Sequence, residues 1–95
     1  MDKVKAESLE QARSQIDQID TALIELIAAR QFYVDQTTRF KKSETDVQSP
    51  DRMEKVIAKA RDQAKALGVD PAFVEQLYRE MFKYFIQREL KEFRP

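Results

Sequence analysis

Two basic residues, Arg30 and Lys41, stand where a helical reading of the chain calls for apolar side chains. Turned at about 100° per residue, Leu9, Ala12, Ile16, Ile19, Leu23, Leu26, Ile27, Val34 and Thr37 gather into one stripe roughly 100° wide. Arg30 and Lys41 fall inside it. A charge on a face meant for burial is costly unless an anion meets it. The pair therefore sketches a cationic hole for a negative ligand. Spaced by 11 residues, about 16 Å along a helix, both side chains can reach one ligand of metabolite size.

Other ionisable residues extend this set. Arg52 opens the helix that follows the loop after Lys41. On the last helix, Glu89 shares a face with Tyr78, Phe82, Phe85 and Phe93. Such surroundings favour the neutral acid and make Glu89 a candidate donor as well as an acceptor. The competing reading is an ion pair between Glu89 and a Lys or Arg across the helices. Arg13 lies 17 residues before Arg30, about 25 Å away, too far to join the site from the same chain. Taken singly, Arg13 and Arg52 read as snorkelling side chains or halves of surface ion pairs. Arg30 and Lys41 resist that reading, because both lie in the middle of the stripe. Several cations, one carboxyl and no conventional nucleophile suit a small dianion. Its rearrangement would need charge placement rather than covalent attack or proton shuttling.

Composition narrows the chemistry further. The 95 residues amount to one small domain, 1–95, with 42% apolar and 36% charged residues, one glycine and three prolines. That balance points to an all-α protein. The 17 basic and 17 acidic side chains cancel, leaving no broad basic field for nucleic acid or an anionic membrane. Cysteine and histidine are both absent, which removes thiol catalysis, disulfides, histidine bases and the usual zinc sites. No metal or other cofactor is expected. With neither a signal-peptide pattern nor an 18-residue apolar run, a cytoplasmic location is the default expectation.

Three helices must position these residues. Residues 1–7 read as frayed, and Ser8 caps a first helix running over 8–42. The segment 43–48 is polar and irregular. Ser49-Pro50-Asp51 supplies a hydroxyl cap, a proline at the first helical position and a first-turn acid, starting a second helix over 49–67. It turns Met53, Val56, Ile57, Ala60, Ala64 and Leu67 to one face and stops at Gly68. Asp70-Pro71 starts a third helix over 71–93, which packs Phe73, Val74, Leu77, Tyr78, Met81, Phe82 and Phe85 inward. A first helix about 50 Å long outruns what two shorter helices can cover. Its stripe calls for a second copy, an intertwined homodimer with the long helices antiparallel. Arg13 of one chain would then complete its partner's pocket.

This set resembles the all-helical chorismate mutase family over about residues 9–93. The resemblance rests on Arg13-x-x-Ile16-Asp17-x-Ile19-Asp20, on Arg30 and Lys41 at their spacings, on Pro50-x-Arg52, and on Gly68-Val69-Asp70-Pro71-x-Phe73-Val74-Glu75. It implies that Arg30 and the partner's Arg13 bind two carboxylates of chorismate, with Arg52 a further pocket cation. Lys41 would reach the enolpyruvyl ether oxygen, where negative charge grows as the bond breaks. Glu89 stands where family members carry a glutamine that contacts the same oxygen. The implied reaction is the Claisen rearrangement of chorismate to prephenate, with no cofactor and no covalent intermediate. Three departures bear on it. A carboxyl at Glu89 must be protonated to donate, so activity should fall as it ionises. Met53 replaces a glutamate that holds the ring hydroxyl, and Phe85 replaces a small hydroxyl residue. The last two changes, with Arg39-Phe40-Lys41-x-Ser43-Glu44, look more like the isochorismate-pyruvate lyases, siblings that eliminate pyruvate to make salicylate. Mutase is the first expectation and lyase the alternative. A non-catalytic helical interaction module is the third.

Overall fold

A computed structural model describes residues 1–92, all-helical and without a strand among them. Four helices follow in order: α1 (Leu9–Thr38), α2 (Glu44–Gln48), α3 (Pro50–Ala66) and α4 (Pro71–Glu92). Contacts divide the chain into two units, Met1–Tyr33 and the part from Val34 onward.

The first unit is the opening of α1 and the residues before it. Ser8 Oγ accepts from the Gln11 N–H at 3.1 Å, and the Gln11 side-chain oxygen accepts from the Glu7 N–H at 2.8 Å. Those two bonds satisfy free donors at the helix start. No residue of α1 is buried within one chain. Leu9, Ile16, Ile19, Leu23, Leu26 and Ile27, members of the expected stripe, all stand exposed.

The second unit holds the core: Val47, Ile57, Ala60, Ala64 and Phe85 are the buried apolar residues, with Glu89 among them. Here α3 and α4 pack together and α2 rests on α4. Small Ala60 and Ala64, one turn apart, let the aromatic face of α4 come close. Phe73 and Leu77, expected to face inward, are exposed instead, and Leu67 at the end of α3 is exposed as well. The α3–α4 turn is a Schellman motif. Val69 N–H reaches Ala64 C=O at 2.8 Å and Gly68 N–H reaches Lys65 C=O at 3.2 Å, with Gly68 at φ +76°. Asp70 then caps α4 through its carboxylate and the Ala72 N–H, 3.0 Å. Charges lace the α3–α4 seam: Arg61 meets Glu75 at 2.7 Å, and Arg79 meets Glu75 at 2.8 Å and Glu54 at 3.4 Å.

Two expected boundaries shift. The first helix ends at Thr38, not at residue 42, and a short helix occupies 44–48, where irregular chain was expected. Thr37 Oγ1 donates to the Val34 carbonyl at 2.7 Å, drawing on a helix acceptor. Arg39, Phe40 and Lys41 N–H then bond to carbonyls three residues back, tightening the chain out of the helix. Ser43 caps α2 by accepting from the Asp46 N–H at 3.1 Å. Ser49 joins α2 to α3 in the left-handed region, φ 41° and ψ 59°. Among the described residues, no helix is long and apolar enough to cross a membrane.

Candidate active site

Lys41 lies beyond the end of α1, so its reach is set by a turn and not by the helix stripe. Its projection onto that stripe, and the 11-residue helical line to Arg30, do not describe its place. What the turn achieves is a contact with α4. Lys41 Nζ stands 2.9 Å from Glu89 Oε2, and 3.5 Å from the Val47 carbonyl of α2. Thr38 Oγ1, at the last residue of α1, donates to the same Glu89 oxygen at 2.6 Å. Glu89 is only 5% exposed, while the Lys41 side chain keeps 20% exposure. A buried carboxylate tolerates such a place when an ammonium and a hydroxyl both meet it.

The apolar surroundings read for Glu89 are therefore incomplete. Of the two sequence readings, the cross-helix ion pair describes the geometry, with Glu89 accepting from Thr38 and Lys41. Phe85 precedes Glu89 by one turn of α4 and is buried, its ring edge-on to Tyr84 with centroids 5.1 Å apart. Phe93 lies outside the described residues. A neighbouring pair reinforces the seam: Arg88 holds Asp35 at 3.1 Å. The hydrogen bond to Asp35 raises the Arg88 pKa above the ordinary guanidinium value, against the opposing effect of desolvation.

Lys41 also lines an open cleft of about 510 Å³ with Phe40, Thr45, Asp46, Ser49, Pro50, Asp51 and Arg52. Two of the expected cations thus share one cleft wall, although Asp46 and Asp51 temper their charge. Its volume suits a small metabolite. Met53, next to Arg52, is half-buried. Arg13 and Arg30 belong to the first unit, where Arg13 is exposed and Arg30 half-buried on α1. Within the second unit the chain brings together Lys41, Glu89 and Thr38 on one side and Lys41 with Arg52 on the other. Sequence reasoning missed Thr38 because its partner is 51 residues away. Among the described residues, no three acidic side chains group as a metal ion would require.

A half-buried ammonium paired with a buried carboxylate thus stands beside a metabolite-sized cleft on an all-helical frame. The family model of chorismate mutase type II matches residues 12–90. The chain belongs to that family. It is also 30% identical over 82 residues to an isochorismate pyruvate lyase of Pseudomonas aeruginosa, covering 86% of this chain and 81% of that protein.

Proposed function

We propose that this chain is an enzyme acting on enolpyruvyl ether dianions of the chorismate class, with isochorismate-pyruvate lyase its leading activity. The observation that carries the reading is Lys41. Its ammonium is held at 2.9 Å from Glu89, and the residue lines the same cleft as Arg52. An ammonium fixed before substrate arrives can stabilise charge growing on an ether oxygen without reorganising during the reaction.

In the lyase reaction the ring carbon–oxygen bond of the ether breaks, and a ring hydrogen moves to the enolpyruvyl methylene. Pyruvate leaves and the ring becomes aromatic salicylate. No external base is needed, which suits a chain without histidine or cysteine. Lys41 would donate to the departing oxygen, while Arg52, Arg30 and a partner's Arg13 would hold the carboxylates. Met53 and Phe85 depart from the mutase pattern in the direction of the lyases, which supports the lyase reading. The lyase relative points the same way. The second reading, rearrangement of chorismate to prephenate, is favoured by the family match. It needs the same charge placement in the same cleft.

The exposed apolar stripe of α1 supports a homodimer in which a second copy covers it. Light scattering should give a dimer at micromolar concentration, and a stable monomer would remove Arg13 from the site. For the activity itself, purified protein is supplied with isochorismate and, separately, chorismate. Salicylate and pyruvate from the first carry the proposal. Prephenate alone, from the second, selects the mutase, and silence with both overturns the enzyme reading.

A further inference from the structure

We infer that Thr38 is a positioning residue for this site, orienting the Lys41 ammonium and the Glu89 carboxylate together. The inference rests on the proposed reaction for its activity assay, but its geometry stands apart from it.

Thr38 takes part in a closed ring of hydrogen bonds. Its carbonyl accepts from the Lys41 N–H at 3.3 Å. The Lys41 ammonium donates to Glu89 Oε2 at 2.9 Å, and the Thr38 hydroxyl donates to that same oxygen at 2.6 Å. One residue thus sets the backbone from which Lys41 reaches out and clamps the carboxylate it reaches. The hydroxyl has a second acceptor, the Val34 carbonyl, but at 3.4 Å that contact is much the longer. A single hydroxyl proton goes to the nearer, charged oxygen.

Thr38 and Lys41 both donate to Glu89 Oε2. Each bond to the carboxylate also favours its ionised form, which the loss of that bond would weaken. The charged groups around Glu89 are Lys41, in contact, and the Asp35–Arg88 pair on the adjoining residue of α4. The Val47 carbonyl of α2 accepts from Lys41, and α3 contributes Arg52 and Asp51 to the cleft that Lys41 lines.

The test compares Thr38→Val, which keeps the shape and loses the hydroxyl, with Thr38→Ser, which keeps the hydroxyl. Two readouts are taken on the full chain. One is the pH profile of kcat and KM with whichever substrate turns over. The other is the 13C titration of the Glu89 side-chain carboxyl in the free protein. Loss of a hydrogen bond to a charged group is worth about tenfold in an equilibrium or more. Thr38→Val should therefore move the Glu89 titration upward by about one pH unit, shift the fall of kcat with rising pH by the same amount, and change KM little. Thr38→Ser should restore the wild-type midpoint. In a Glu89→Gln background the shift in the pH profile should vanish. An unmoved carboxyl titration in Thr38→Val overturns the inference, as does a Thr38→Ser variant as perturbed as the valine. If neither substrate reacts, the functional reading fails, and the carboxyl titration alone still decides the role of Thr38.

Discussion

Replacing Lys41 by methionine keeps the apolar stem and removes the ammonium, leaving Glu89 buried with Thr38 as its one remaining hydrogen-bond partner among the described residues. Removing one partner of a buried ion pair costs about 3–5 kcal/mol, because the other charge stays out of water uncompensated. The Lys41 side chain retains 20% exposure, so water screens part of that loss. The lower end, about 3 kcal/mol, is the expectation. Urea unfolding at pH 7 and fixed protomer concentration measures it as a fall in midpoint with unchanged slope. Adding Glu89→Gln to the same chain removes the stranded charge. The double variant should then lose about 1–3 kcal/mol less than the sum of the two single variants. A Lys41→Met variant within about 0.5 kcal/mol of wild type, the range of an ordinary surface change, would refute the buried-pair argument. Strict additivity in the cycle would refute it equally.

Three further outcomes follow from particular contacts. Glu89→Gln supplies a donor that never ionises, so the pH optimum should move toward neutral; an unchanged profile removes Glu89 from the mechanism. The Glu75 carboxyl is held below its ordinary value of 4.5, first by the Arg79 hydrogen bond and also by Arg61, with desolvation opposing. Its contribution to stability is present above that ordinary value and lost as pH falls through the lowered one. Glu75→Gln should thus flatten the acid side of the stability–pH curve without altering its neutral slope, as thermal melts across pH 2–6 would show. Gly68 sits at φ +76° with open space where a methyl group would project, so Gly68→Ala meets backbone strain alone. A loss of about 1–2 kcal/mol in urea unfolding is expected, and no loss would contradict the left-handed cap.

The features legible in the sequence are those written in neighbouring residues. Ser49-Pro50-Asp51 marks the start of α3, Gly68 the end of that helix, and Asp70-Pro71 the start of α4, because caps and left-handed turns are local chemistry. The end of α1 was hidden. No glycine or proline stands between Thr37 and Lys41, and the helix yields to hydroxyl back-bonding at Thr37 and a tight turn after it. A five-residue helix such as α2 has no periodicity to read, though Ser43 three residues before Asp46 was its signal. Lys41 drew notice through its spacing, yet its position is set by the turn. Its pairing with Glu89 spans 48 residues, and no local pattern encodes such a contact. Thr38 looked like one more residue at the helix end for the same reason.

The central claim is that the Lys41 ammonium stabilises the breaking ether bond. Its most direct test is product formation from isochorismate and chorismate by wild type and Lys41→Ala, with folding of each checked by circular dichroism. The wild-type chain should release salicylate and pyruvate, and the folded variant should be slower by about 10²–10³. Near-wild-type turnover in folded Lys41→Ala would contradict the account.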